Sequence, residues 1–230
     1  FYSSVNSLEL FKTQKFYQID ISILKDLGYD VLLSNRIFDS LLFWKYDILF
    51  SYFYRYSFFA ALLAKCFGKK TYFTGGIDSL DSDYASAFNY KIQALFFKLC
   101  YWVADSCIIV SQSDLKNIFK VSSLKKKLSY SEHVINTKLF IADVPKEKIF
   151  TSIVWMGDEG NVVRKGVDKA LQIFAELKKI PEFVDYRFVI IGRKGEGEVL
   201  VRSIIDKYNL KGSVELKGEV SEEDKINLLK

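Results

Sequence analysis

The stretch "FTSIVWMGDEGNVVRKGVDKALQIFAEL", residues 150–177, determines how this chain is interpreted. An apolar run over 150–157 predicts a strand that ends at Gly157, and helical periodicity begins at Gly166 and continues to residue 179. The apolar face of this helix is predicted to contain the residues that recur at helical spacing: Val167, Ala170, Leu171, Phe174 and Leu177. Residues 158–165 are predicted to form a long loop between the strand and the helix.

The same alternation continues after this unit. Strands are predicted over 186–192 and 213–218, with helices over 198–208 and from Ser221 onward. All three strands end at a glycine, and in open α/β sheets ligands lie beyond the carboxyl ends of the strands. The pattern predicts an α/β domain that binds a nucleotide-like ligand and is cut off before its completion.

Arg164 and Lys165 are the cations of the predicted loop. They allow two interpretations: an exposed cationic pair before a helix, or a pair that neutralises a diphosphate through charge-assisted hydrogen bonds. The segment "GRKGEG" (192–197) has G-x-x-G-x-G spacing, which is not the dinucleotide fingerprint, and the chain has no Walker A motif.

The first half of the chain follows a similar strand–helix rhythm, which predicts a parallel sheet. Its predicted helices cover 8–27, 57–68, 84–105 and 113–119 (with Ser113 as N-cap), and its predicted strands cover 29–35, 46–54, 70–74 and 107–111. We expect two domains, 1–145 and 146–230. Because the chain begins at Phe1 without a methionine and ends inside a predicted helix, we expect a fragment.

Composition narrows the possible classes of function. The chain has one histidine, His133, and three cysteines outside any CxxC or Cys/His cluster, which argues against a histidine-based metal site and a Ser-His-Asp triad. The three thiols are expected to be buried in a reducing compartment. Only 7 of the 37 aromatic residues lie after residue 145. The aromatic, basic first half fits either a large core or contact with an anionic membrane surface, and no apolar run is long enough to span a membrane.

Residues 154–179, 186–205 and 213–230 together resemble the start of the nucleotide-sugar domain of a GT-B glycosyltransferase, of the family 4 or glycosyl transferases group 1 type. "CIIVSQSDLKNIF" (107–119), preceded by Asp105, is similar to a segment of the family's first domain. "EHVINTKLF" (132–140) resembles the segment that leads out of that domain, with His133, Asn136 and Phe140 at family positions. This resemblance implies two Rossmann-like α/β domains, the first lacking its start and the second truncated.

The resemblance also implies a function and a set of residues. It implies a hexosyltransferase, retaining and metal-independent, that uses a nucleotide-sugar donor and a glycan or lipid-linked acceptor, with no cofactor and no nucleic-acid partner. Such an enzyme would be cytoplasmic, at the inner face of the membrane if the first half contacts lipid. The implied donor-binding residues are Gly157, Asp158, Arg164, Lys165, Gly218 and Val220, and the implied acceptor-side residues are Gly75, Gly76 and Asp78.

Within this assignment Lys165 matches the lysine that contacts the donor diphosphate, whereas Asp158 stands where the family often has arginine. No residue is assigned as catalytic, and His133 is interpreted as a linker residue. Two alternatives stay open: a nonhydrolysing nucleotide-sugar 2-epimerase, which has the same two-domain plan, and a non-catalytic nucleotide-binding or interaction module.

Overall fold

The computed structural model describes residues 1–82, 85–122, 125–135, 137–140 and 145–229, with only the backbone of Asp78. The chain divides into two compact units, Phe1–Val134 and Ile135–Lys230. The boundary predicted between 145 and 146 directly follows residues 141–144, which lie outside the described residues, and it stays a prediction.

The first unit is built on a parallel sheet in which the strands lie side by side in chain order. Its strands are β1 (Tyr2–Ser3), β2 (Ile48–Tyr52), β3 (Lys70–Thr74), β4 (Ser106–Ile109) and β5 (Leu128–Tyr130). Its α-helices are α1 (Leu10–Thr13), α2 (Lys15–Asp26), α3 (Ser57–Cys66), α4 (Ala87–Val103) and α5 (Gln112–Val121). Parallel pairing with helices between the strands is the arrangement that the sequence pattern predicts.

The strand predicted over residues 29–35 was wrong. These residues form no ladder and contribute only an isolated bridge between Ser34 and Tyr2. The leucines of this segment do not enter the core: Leu32 and Leu33 are 57% and 38% exposed. An apolar run alone therefore did not indicate a buried strand. The short strands β1 and β5 were not predicted.

Two helix boundaries also differ from the prediction. The helix expected over 8–27 is interrupted at Gln14, whose backbone is extended at φ −85° and ψ 119°. The helix expected from Ser113 begins earlier because Ser111, not Ser113, is its N-cap: the Ser111 hydroxyl accepts a hydrogen bond from the Asp114 amide at 3.0 Å.

The core of the first unit holds part of its aromatic side chains. Tyr54, Phe73 and Phe97 are at most 1% exposed, and the ring of Tyr54 lies 5.7 Å from that of Phe73 and 5.4 Å from that of Phe97. A second buried cluster contains Phe11 of α1, Tyr17 of α2 and Tyr52 of β2. Burial of these large rings explains part of the aromatic bias of the first half.

The second unit contains a parallel sheet in the order β6-β7-β8, with helices in between. Its elements are β6 (Ile149–Ile153), α6 (Glu159–Arg164), α7 (Val167–Leu177), β7 (Arg187–Ile191), α8 (Glu198–Lys207), β8 (Val214–Gly218) and α9 (Glu222–Leu229). Ser221 caps α9 by accepting a hydrogen bond from the Asp224 amide at 3.0 Å, as the sequence predicted.

Helix α7 shows why this unit folds as it does. Its buried face consists of Val167, Leu171, Phe174 and Ala175, close to the predicted stripe, while Leu177 is half-buried. This face packs on Phe188 and Ile190 of the sheet. The predicted α/β class with parallel sheets is confirmed. No helix within the described residues is long and apolar enough to cross a membrane.

Candidate functional site

The carboxyl ends of β6, β7 and β8 form one edge of the second sheet, where the segments 154–158, 192–197 and 218–220 meet. The backbones keep pairing beyond the regular strands: the Met156 amide donates to the Arg193 carbonyl oxygen at 2.9 Å. The segments that follow the strands are therefore held against each other by hydrogen bonds, which gives this edge a fixed backbone shape.

Glycine is required at this edge by the packing of the chain itself. Gly192 has a φ of 137°, and a Cβ there would lie 1.9 Å from the carbonyl oxygen of Val154. A Cβ on Gly197 would lie 2.4 Å from the carbonyl oxygen of Asp158. A glycine at a strand end can allow a ligand to approach the backbone closely; at Gly192 the structure supplies a different reason, which is close approach of another backbone segment.

Gly157 and Gly218, two predicted donor-binding residues, each lie against a side chain at this edge. The indole of Trp155 packs on Gly157, where a Cβ would be only 2.6 Å from a ring carbon. Near Gly218 lies Lys194, whose Cε would be 3.2 Å from a Cβ at that glycine. Lys194 was not predicted as a site residue, although the two cations inside "GRKGEG" were a visible signal. Val220, which follows β8, is half-buried.

The predicted loop 158–165 is mostly a helix, α6, and the interpretation of this segment as a long loop was wrong. Asp158 initiates the helix: its Oδ1 accepts a hydrogen bond from the Asn161 amide at 2.7 Å. A carboxylate at an N-cap satisfies an otherwise unpaired amide and is stabilised by the helix dipole. The structure thus gives Asp158 a local role, and contact with a donor stays a prediction.

Arg164 and Lys165 lie at the C-terminal end of α6. The Arg164 Nη2 donates to the Asn161 Oδ1 at 3.3 Å, and the Lys165 amide donates to the Asn161 carbonyl oxygen at 3.0 Å. Asn161 therefore links Asp158, Arg164 and Lys165 on one short helix, a relationship that sequence reasoning missed.

The side chain of Lys165 is exposed, and within the part of the chain that the structure describes its ammonium makes no hydrogen bond or ion pair. No hydrogen bond or ion pair among the described residues joins Lys165 to Gly218 or Val220 either. The structure places these predicted donor-binding residues in one unit, as two groups: one at α6 and one at the end of β8.

The predicted acceptor-side residues follow β3 in the first unit. Gly75 is buried with a φ of 105°, and a Cβ there would lie 3.2 Å from the ring of Phe53. Gly76 lines a cavity at the same edge of the sheet. Asp78 begins a short 3-10 helix, Asp78–Leu80, and its side chain lies outside what the structure describes.

Asp105, which precedes β4, joins two elements of the first unit. Burial alone would raise its pKa, but hydrogen bonds from the Lys65 ammonium and the Thr71 amide, both at 2.8 Å, outweigh this and lower the pKa of Asp105 below its usual value. The carboxylate ties the end of α3 to β3.

The cysteines and His133 form no reactive cluster. Burial raises the pKa of Cys107 to about 12, and burial together with the neighbouring Cys107 raises the pKa of Cys100. Cys66 is exposed, so the expectation that all three thiols are buried was wrong there. His133 is exposed with its ring 6.4 Å from that of Phe16. Asn136 lies outside the described residues, and among those described no group of three or more His, Cys, Asp or Glu could hold a metal ion.

Comparisons with known proteins support the fold and find a family match within the second unit. Residues 160–230 match the family described as Glycosyl transferases group 1. A search of curated protein sequences finds no significant match.

Two solved structures illustrate the similarity of fold. HepE from Anabaena, solved in complex with UDP, superposes with a TM-score of 0.64 at 12% identity, covering 87% of this chain and 59% of its own. Sucrose-phosphate synthase from Thermosynechococcus elongatus superposes with a TM-score of 0.58 at 17% identity, covering 96% of this chain and 53% of its own. The chain therefore spans a little over half the length of these proteins. It has the fold of the GT-B glycosyltransferases, and residues 160–230 of its second unit match the group 1 family.

Proposed function

We propose that this chain is part of a glycosyltransferase that moves a sugar from a nucleotide-sugar donor to a glycan or lipid-linked acceptor. The observation that carries the proposal is Lys165, an exposed ammonium without a partner among the described residues, inside the segment that matches the group 1 family. An exposed ammonium can bind a diphosphate through charge-assisted hydrogen bonds. Lys194, near Gly218 at the carboxyl edge of the same sheet, adds positive charge to the proposed donor-binding unit.

The chemistry assigned to Lys165 follows from its charge. As the bond from the sugar to the diphosphate breaks, negative charge grows on the departing nucleoside diphosphate, and a preorganised cation stabilises that charge. Arg164 shares its guanidinium with Asn161 and is assigned a secondary role. Gly75, Gly76 and Asp78 are proposed to lie on the acceptor side.

The experiment is a calorimetric titration of UDP, which is present in the HepE structure, and of GDP into the protein. Lys165→Ala is expected to weaken binding by about 1.5–3 kcal/mol, roughly 10- to 150-fold, because one charge-assisted bond is lost. Lys169→Ala, on α7, removes another exposed lysine and is the matched control. Failure of both nucleotides to bind would contradict the proposal, and unchanged affinity in Lys165→Ala would remove this residue from it.

From the family resemblance we also propose that the enzyme retains the anomeric configuration of the transferred sugar and needs no metal ion. Release of UDP from UDP-glucose, a donor found in another HepE structure, is expected to continue in excess EDTA. Loss of release with EDTA and its recovery with Mg²⁺ would contradict metal independence. Proton NMR of the first product formed distinguishes retention from inversion.

Contact with an anionic membrane is proposed for the outer face of α4. Phe88, Leu95 and Trp102 are 73%, 56% and 69% exposed and lie seven residues apart, which places them on one side of the helix. Lys91 and Lys98 are exposed between them, and α4 contains no acidic residue. Exposed apolar groups interleaved with lysine fit the boundary between lipid headgroups and acyl chains.

A vesicle flotation assay tests this contact. The protein is expected to float with vesicles that contain phosphatidylglycerol and much less with pure phosphatidylcholine. Trp102→Ser should reduce flotation, whereas Ile173→Ser, which changes a 62% exposed side chain on α7, should not. Equal flotation of the two variants would contradict the assignment to α4.

A further inference from the structure

A cavity of about 360 Å³ opens at the carboxyl edge of the first sheet. Its walls come from residues that follow three parallel strands: Ser4 after β1, Phe53 to Tyr56 after β2, and Gly76 after β3. The carboxyl edge is where open α/β sheets bind ligands, and the volume falls within the range of small-molecule sites.

Arg55 brings a positive charge to this cavity. Its Nε is buried and has no hydrogen-bond partner, and within the described part of the chain its side chain makes no hydrogen bond or ion pair. The guanidinium lies 5.3 Å from the centre of the Tyr56 ring, a contact that positions it without neutralising it. Buried donors of a charged group are normally paired, so the missing partner points to a ligand.

The start of α3 adds to the positive potential at the same turn. The helix begins at Ser57, two residues after Arg55; its N-cap residue, Tyr56, makes no side-chain capping bond, and its first turn has no acidic residue. The Ser57 hydroxyl is already used, since it donates to the Tyr52 carbonyl oxygen at 2.6 Å. The positive end of the helix dipole therefore adds to the charge of Arg55.

Two aromatic rings beside the cavity offer flat apolar surfaces. Phe53 and Tyr56 are 36% and 51% exposed. Phe53 has a φ of 69°, which is uncommon for a residue with a side chain, and its amide is held by the Thr74 carbonyl oxygen at 2.8 Å. This conformation places its ring against Gly75, next to the cavity-lining Gly76.

One carboxylate contacts the backbone at the wall of this cavity. Asp114 is buried, and its Oδ2 accepts the Ile77 amide proton at 3.2 Å. It does not line the cavity. Among the residues that the structure describes, the lining groups combine one cation, apolar rings and polar side chains such as Gln93, whose amide nitrogen already donates to the Tyr54 carbonyl oxygen at 2.8 Å.

We propose that this cavity binds an anionic sugar, with the phosphate or carboxylate of the ligand on Arg55 and its ring against Phe53 or Tyr56. The inference deepens the proposed function, because the ligand would be the acceptor, or the acceptor end of a glycan. The recognised chemistry is an oxyanion that accepts hydrogen bonds from the guanidinium, which arginine binds in a planar, two-pronged geometry.

The test titrates glucose 6-phosphate, glucuronate and glucose into the full chain, followed by NMR or calorimetry. At least one anionic sugar is expected to bind about tenfold or more tightly than glucose, since a charge-assisted bond separates them. Binding of only glucose 6-phosphate would assign a phosphate, and binding of only glucuronate a carboxylate. If glucose binds as tightly as both anionic sugars, the proposal is overturned. This comparison uses the wild-type protein alone.

Three variants locate the site. Arg55→Gln is expected to lose the preference for anionic sugars, Arg55→Lys to keep part of it, and Arg36→Gln, which removes an exposed charge elsewhere in the same unit, to keep all of it. An unchanged preference in a folded Arg55→Gln or in Arg55→Lys would overturn the assignment to Arg55.

UDP affinity, measured in parallel, should be unchanged in both Arg55 variants. If the protein binds anionic sugars through Arg55 but binds no nucleotide, the anion site stands while the donor half of the proposed function fails. If UDP binds and the Arg55 variants behave like the wild type towards anionic sugars, the donor site stands and this inference fails.

Discussion

Replacing Gly192 by alanine would put a methyl group where a neighbouring backbone already lies. The new Cβ would be 1.9 Å from the Val154 carbonyl oxygen and 2.7 Å from the Val154 carbonyl carbon. Neither contact can be relieved by rotating a side chain. The backbone would have to move, which disturbs the hydrogen bond between the Val154 amide and the Ile191 carbonyl oxygen, 2.8 Å long.

Two costs add at this position. Inserting a group into a filled site typically costs about 1–3 kcal/mol. Holding a residue other than glycine at a φ of 137° costs about 1–3 kcal/mol more. The expected loss of unfolding free energy is about 2–6 kcal/mol, a large share of the 5–15 kcal/mol that is typical of a domain. Gly212→Ala is the control, because Gly212 has a φ of 82° but nothing within 4 Å of a Cβ, so only about 1–2 kcal/mol is expected.

The assay is urea unfolding followed by far-ultraviolet circular dichroism. With a slope of about 2 kcal/mol per molar urea, Gly192→Ala should lower the midpoint by about 1–3 M and Gly212→Ala by about 0.5–1 M. If Gly192→Ala lowers the midpoint no more than Gly212→Ala does, then close backbone approach is not the reason for glycine at this position.

Three further outcomes are expected. Asp158→Ala should lose about 0.5–2 kcal/mol of unfolding free energy by removing the N-cap of α6, and Asp158→Asn should retain most of it, both measured by urea unfolding. Of the three thiols, Cys66 should react with Ellman's reagent at pH 8 while Cys100 and Cys107 react only after unfolding; fast reaction of a second thiol in the native protein would contradict their burial. Folding lowers the pKa of Asp105, so its contribution to stability is present above its unfolded pKa and is lost as pH falls through the folded value. The difference in unfolding free energy between wild type and Asp105→Asn should therefore become smaller from pH 6 to pH 3. A difference that stays constant would count against this linkage.

Where periodicity and end signals agreed, the sequence predicted the structure well. Lys70–Thr74 is a strand with the predicted ends, because a short apolar run is closed by two glycines. Helix α7 was predicted with its buried face because Val167, Leu171 and Phe174 recur at helical spacing before a sheet that covers them. The glycosyltransferase resemblance was confirmed for the fold and for residues 160–230.

The remaining differences have identifiable physical causes. Segment 158–165 contains one glycine, two cations at its end and no long apolar stripe, so a one-and-a-half-turn helix that depends on the cap formed by Asp158 left no periodic signal. The orphan Nε of Arg55 was invisible because burial of one atom without a partner is a property of the packed fold. The same holds for Gly192, where the demand for glycine comes from a segment 38 residues earlier in the sequence.

The indole of Trp155 is a fluorescent group at the edge of the second sheet. It packs on Gly157 and is 57% exposed, so its emission depends on what occupies the solvent side of that ring. The other tryptophans, Trp44 and Trp102, lie in the first unit and are themselves 66% and 69% exposed. Replacing those two with phenylalanine would leave a protein with one tryptophan, built into the unit proposed to hold the donor and reporting on its surroundings without an added label.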